Sequence, residues 1–182
     1  MAISNKVEII EPKTIWIGSE KAPLRLVMYG DYESEACARA QEAIDRILEK
    51  YPDQVRFQYR HFPLTKVHQY AHKAAEAAVA AVQEGRFWEM HRLLFAHRKR
   101  LGSISLKEYA REAGLKDKNL IPKLVDSVYG WTVRADLLEG VEKGVREVPA
   151  IFINDEMYQG KLTPQALVKH LQERLPALKK RA

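Results

Sequence analysis

Apolar residues fill both phases of a strand-like stretch at residues 24–30, with Leu24, Leu26 and Met28 in one phase and Val27 and Tyr29 beside Arg25 in the other. That pattern predicts a strand buried on both faces. It breaks at Gly30-Asp31, and the period then changes. Ala38, Ala40, Ala43, Ile44, Ile47 and Leu48 follow at helical spacing, with Ser34 as a good N-cap and Glu35 in the first turn. A helix is predicted over 34–50, ended by Tyr51-Pro52-Asp53. Residues 54–60 alternate at period two, a strand with one polar face. Strand, helix and strand in such short order form a βαβ unit with a parallel, right-handed crossover.

Upstream, a polar arm over 1–13 precedes a short strand at 14–18 and a turn. Downstream, residues 67–129 read as helical. An Ala-rich helix over 67–84 stops at Gly85, and a second runs over 86–100. A third is capped by Ser105 with Glu108 as its capping-box partner and stops at Gly114, and a fourth spans 117–128. A longer helix over 130–144 carries Trp131, Val133, Leu137, Leu138 and Val141 as its apolar side. Then come an apolar strand at 150–154, a tight Asn154-Asp155 turn and a short antiparallel partner at 156–160. Thr163 caps a last helix that has Pro164 at its first position and runs to about Arg174. The class is α/β: a mixed sheet built from a βαβ half and a ββα half, with an all-helical insertion between them. The halves are 14–64 and 145–175, the insertion is 65–144, and 176–182 is a basic tail.

Composition narrows the picture. At 182 residues the chain is one domain with an insertion, and 46% hydrophobic with 30% charged residues suits a globular core. The single cysteine excludes an intramolecular disulfide and gives no sign of an oxidising compartment. The first residues hold no apolar leader, and no run reaches membrane-spanning length, so the expectation is a cytoplasmic protein without a membrane partner. A mature exported chain is the alternative. The net charge of +6 comes largely from clusters at 98–100 and 179–181. These read as a solvated face and a basic tail, not as a nucleic-acid stripe.

Candidate chemistry centres on Cys37, the one thiol, in the first turn of the helix at 34–50. Helix N-terminal amides lower a thiol pKa, whereas burial one turn in raises it. Asp31 and Glu33 flank the site. A buried carboxylate beside a thiol can relay protons, and both also suit a turn. His68 and His72 stand at i, i+4, a spacing that can clamp a metal, but no acidic partner is spaced to complete a site, so no metal is expected. His61 and His91 read as packing or capping groups, and Phe87, Trp88 and Phe95 as core. Trp16 and Trp131 carry no functional pattern.

Four pieces of sequence carry a resemblance. They are Ala22-Pro23-Leu24-Arg25-Leu26-Val27-Met28-Tyr29-Gly30-Asp31-Tyr32-Glu33; Arg60-His61-Phe62-Pro63-Leu64 with His68 and the alanines after it; Gly85-Arg86-Phe87-Trp88-Glu89-Met90-His91 with Leu94-Phe95; and Gly144-Val145, Val148-Pro149, Phe152-Ile153-Asn154 and Tyr158-Gln159-Gly160. In this order and spacing, from Ala22 to Leu171, the chain resembles the DsbA-like branch of the thioredoxin fold. The resemblance implies a thioredoxin-like sheet and thiol–disulfide oxidoreductase ancestry. It implies a protein thiol or disulfide as partner and no dissociable cofactor. Pro149 would be the family's cis-proline, and Val148-Pro149 would offer backbone to an extended substrate.

One departure is decisive for chemistry. Where the family has Cys-x-x-Cys, this chain has Ser34-Glu35-Ala36-Cys37. Ser34 occupies the place of the attacking thiolate and Cys37 that of the resolving thiol. A hydroxyl cannot form the mixed disulfide, so the dithiol cycle cannot be completed. Three accounts stay open: a cysteine replaced by design, natural loss that leaves a peptide-binding or monothiol module, or a Ser34 that holds the thiolate of glutathione. The last is the arrangement of the kappa-class glutathione transferases, and it would make glutathione a cofactor. Oligomeric state is not fixed by any of these.

Overall fold

The computed structural model describes residues 15–179. In chain order the elements are β1 (Ile17–Gly18), β2 (Leu24–Gly30), α1 (Glu35–Lys50), β3 (Val55–His61), α2 (Ala71–Gln83), α3 (Phe87–Ala96), α4 (Ser103–Glu112), α5 (Leu120–Val125), α6 (Gly130–Glu142), β4 (Ala150–Ile153), β5 (Glu156–Met157) and α7 (Pro164–Lys179). The strands form one sheet in the order β1-β3-β2-β4-β5. β2 and β3 pair in parallel, from Leu24 opposite Val55 to Gly30 opposite His61. β4 joins the other edge of β2 antiparallel, with Leu26 opposite Ile153 and Tyr29 opposite Ala150. The expected βαβ and ββα halves therefore meet along β2, the strand whose pattern predicted double burial. The expected arm over 1–13, Thr14 and residues 180–182 lie outside the described residues.

The two faces of the sheet have different cores. Leu24, Leu26, Met28, Val55, Phe57, Ile151 and Ile153 join Ile44 and Ile47 of α1, Leu167 and Leu171 of α7 and the inner side of the helical block in one buried cluster. Each such side chain, fully buried, is worth about 1.5–3 kcal/mol. On the opposite face Tyr29, Phe62, Val145 and Phe152 form a smaller cluster with Leu137 of α6 packed on it. That helix comes very close to the sheet at Gly140, where a Cβ would stand 2.9 Å from Phe62 and from Tyr29.

Several boundaries differ from the sequence pattern for identifiable reasons. α2 starts at Ala71, not at 67, because residues 64–70 are held by side chains of the site turn. Ser105 does not cap α4. Gly102 is the N-cap, in extended conformation at ψ 164°, and no side chain bonds there. The buried residues Leu101 and Leu106 bracket that turn and set the helix start earlier. The apolar side expected of α6 splits in two. Val133, Asp136 and Gly140 are its buried positions, whereas Trp131, Leu138 and Val141 face solvent. α5 is only six residues long, and β5 stops at Met157 because Tyr158 turns to pack its ring 4.8 Å from that of His170. α7 runs past Arg174 to Lys179, its stripe of Leu167 and Leu171 extended by the buried Leu175. The Asn154-Asp155 turn has φ of 49° and 73°, the paired positive values of a type I′ hairpin.

Candidate functional site

The site forms where β2 ends and α1 begins. Gly30 closes the strand against Tyr59, whose ring a Cβ would meet at 2.8 Å, so a side chain has no room there. Ser34 is the N-cap: its Oγ accepts the Cys37 amide at 3.2 Å. Its own amide donates to the Asp31 carbonyl at 3.2 Å. Cys37 points into the core with no exposed surface, and its Sγ accepts the Asp31 amide at 3.4 Å. Burial pushes the thiol up to about 11, outweighing the Ser34 and Asp31 donors that pull it down. Of the two opposing effects expected for a thiol in a first turn, burial wins.

Asp31 and Glu33 organise the opposite side of the site. The Asp31 side chain is wholly buried. Its Oδ1 accepts the Glu33 amide at 2.8 Å, and its Oδ2 accepts the Leu64 amide at 2.7 Å and pairs with His68 Nδ1 at 2.9 Å. Glu33 Oε2 accepts the Tyr70 amide at 2.7 Å. Residues 64–70 thus form a strap pinned to the site turn at both ends. This displaces His68 from the helix on which the i, i+4 spacing placed it. His68 faces Asp31, while His72 faces Glu76 at 3.2 Å, so the two rings do not share a helix face. Among the described residues no group of three or more His, Cys, Asp or Glu side chains is placed to hold a metal ion.

Behind the turn lies a bed of aromatic rings. Tyr32 is buried, with its hydroxyl 2.9 Å from His91 Nδ1 and its ring packed on Tyr59 and Phe95. His61 and His91 are packing groups, as expected. Burial holds His61 down at about 4 and His91 well below the usual histidine range. Phe87 and Phe95 are core, and Trp88 packs partly buried against it. On the rim, Glu35 pairs with Arg39 at 2.8 Å and with Arg98 at 3.1 Å, so one member of the basic 98–100 cluster reaches the first turn of α1.

The Val148–Pro149 peptide is cis. The strand register brings it to the site: Ala150 is paired with Tyr29, so the residues just before Ala150 stand beside Gly30 and the turn that follows. Pro149 is buried, and Val148 packs against both core clusters. Sequence reasoning missed the strap, His68 as a partner of Asp31, and the buried Asp136. Asp136 accepts from Arg60 at 2.7 Å and from the His61 amide at 3.0 Å. An acid set between Val133 and Leu137 on an inward helix face was the available signal for the last.

The sheet order, the helical block between its halves and a helix that opens on the Ser34–Cys37 pair define a thioredoxin-fold protein. The chain belongs to the thioredoxin family, whose model matches residues 11–173. It is similar in structure to a thioredoxin-like oxidoreductase from Silicibacter pomeroyi, at 22% identity and TM-score 0.77, covering 94% of this chain and 95% of that one. It is similar also to the thiol-disulfide exchange protein alpha-DsbA2 of Wolbachia pipientis, at 16% identity and TM-score 0.72, covering 91% and 87%. Among curated sequences, the Na(+)/H(+) antiporter NhaA 3 of Salinispora tropica is 37% identical over 150 residues, 82% of this chain and 23% of that protein. The chain spans about a quarter of the length of the curated relatives it matches. Among the described residues no helix is long and apolar enough to cross a membrane.

Proposed function

We propose that this is a DsbA-like thiol–disulfide oxidoreductase scaffold in which disulfide exchange is switched off at Ser34, leaving a site that binds an extended segment of a protein partner. The observation that carries the reading is the state of its one thiol: Cys37 is fully buried and protonated, and the position that should attack carries a hydroxyl. Exchange needs a thiolate at the helix start and a second thiol to resolve the mixed disulfide, and only the second is in place. Ser34 marks the attacking position, Cys37 the resolving one, and Val148-Pro149 the backbone offered to the partner. Asp31, whose amide reaches the thiol, is the better placed of the two relay candidates, because its Oδ2 also contacts His68. Glu33 is committed to the strap. No dissociable cofactor is part of the proposal. A cytoplasmic setting is, because one buried thiol leaves the fold nothing to gain from an oxidising compartment.

The test is insulin reduction with dithiothreitol as the electron source. The chain with Ser34 should run at the uncatalysed rate, and Ser34→Cys should accelerate it at least tenfold. Equal inactivity of two folded proteins would overturn the oxidoreductase reading. Glutathione binding by calorimetry, lost on Ser34→Ala, would replace it with the transferase-like alternative.

A further inference from the structure

The outer stripe of α6 is unusual for a surface helix. Trp131 is 78% exposed, and Leu138 and Val141 follow it at i+7 and i+10 with 48% and 43% exposed. A helix that buries one face does not need apolar residues on the other, and exposed apolar residues aligned along one helix side suit a contact surface.

At its N-terminal end the stripe borders a groove of about 450 Å³ between α6 and the strap, lined among others by Pro63, Thr65, His72, Trp131, Arg134 and Leu137. Two features give the groove a direction and a charge. Pro63 and Thr65 flank Leu64, whose amide is held by Asp31, and the amide of Asp31 in turn reaches Cys37 Sγ. The groove wall is therefore tied by hydrogen bonds to the candidate site. The lining includes no Asp or Glu. Glu76, buried behind it, is engaged by Lys73 at 2.8 Å and by His72 at 3.2 Å. The Arg134 guanidinium lies 5.8 Å from the centre of the Trp131 ring and makes no ion pair among the described residues. An exposed aromatic beside an uncompensated guanidinium is a surface for a chain that brings both an apolar side chain and a carboxylate.

We infer that this groove is a second docking site, and that its occupant is an acidic, apolar segment of a partner protein. An aromatic or aliphatic side chain of the partner fills the space between Trp131 and Pro63, and a flanking carboxylate pairs with Arg134. The link to the α1 start rests on the proposed peptide site, whereas the charge argument does not.

The probes are two cysteine-free hexapeptides with the same Leu-Phe centre, one flanked by Glu and one by Lys, titrated against the full chain by fluorescence anisotropy. The Glu-flanked peptide should bind saturably and weaken as salt rises. Trp131→Ala should weaken it about tenfold or more, as loss of a central aromatic contact does. Arg134→Glu should reverse the preference toward the Lys-flanked peptide. Ile104→Ala, at an 80% exposed apolar position on α4, should leave affinity unchanged. Trp131 and Arg134 are both surface residues, so circular dichroism should show all variants folded.

Absence of saturable binding, equal binding of both peptides, or an Ile104→Ala effect equal to that of Trp131→Ala would overturn the inference. A dimer in sedimentation that dissociates on Trp131→Ala would assign the face to a second copy instead. None of these readouts involves thiol exchange, so failure here and failure of the insulin assay are separate results.

Discussion

Cys37 and Asp31 show how much a single side chain's role depends on neighbours distant in sequence. The helix start around Cys37 was legible, including Ser34 as cap. The balance between dipole and burial was not, because burial comes from the whole first-face core. With its thiol at about 11 against the usual 9.0, the native state resists ionisation there. The neutral thiol's share of stability is therefore intact below about pH 9 and is lost as pH rises toward 11. The 13Cβ chemical shift of Cys37 should titrate at about 11 in the folded chain and near 9 in urea. A folded midpoint at or below 9 would contradict the burial account. Asp31 could be read from sequence only as flanking the thiol. Its ties to Leu64 and His68 span more than thirty positions and leave no local pattern.

At the level of elements, the order of strands and long helices followed from period changes, and the errors cluster where tertiary contacts override local pattern. The Ala-rich stretch predicts a helix from 67, but the strap's first and last amides are taken by the Asp31 and Glu33 carboxylates, so α2 waits until Ala71. A Ser-x-x-Glu pattern at Ser105 lost to a glycine cap placed earlier. In α6 the apolar residues were visible, but not that they serve two faces. The contact of α6 with the sheet gives a test. Gly140→Ala gains helix propensity of about 1 kcal/mol but puts a Cβ 2.9 Å from Tyr29 and Phe62. Overpacking of this kind costs about 1–3 kcal/mol, so the urea midpoint should fall, or at best hold, instead of rising. Gly102→Ala, where nothing lies within 4 Å, should be close to neutral by comparison. A clear rise in midpoint for Gly140→Ala would show that the helix sits further from the sheet.

For the molecule as a whole, the buried histidines set its response to acid. His61 is held from the usual 6.5 down to about 4 by burial, so the unfolded chain binds the extra proton first. Stability should hold above about pH 6.5 and decline as pH falls toward 4, by about 3 kcal/mol from this residue alone. His91, shifted the same way, adds to the decline. Urea midpoints at pH 7, 5.5 and 4.5 should trace this fall, and His61→Gln should flatten it; an unchanged slope would remove His61 as the cause. The mixed sheet with its helical block was legible from the order of elements alone, whereas the carboxylate ties that lock site turn, strap and helices together were not. Those ties carry one more consequence. Asp31 and Glu33 pin the strap through their own carboxylates, so the side chain at 34 enters the architecture only as the cap of α1. Under the proposed function, a single codon change at 34 would retire or reinstate exchange chemistry while the strap and its carboxylate anchors stay in place.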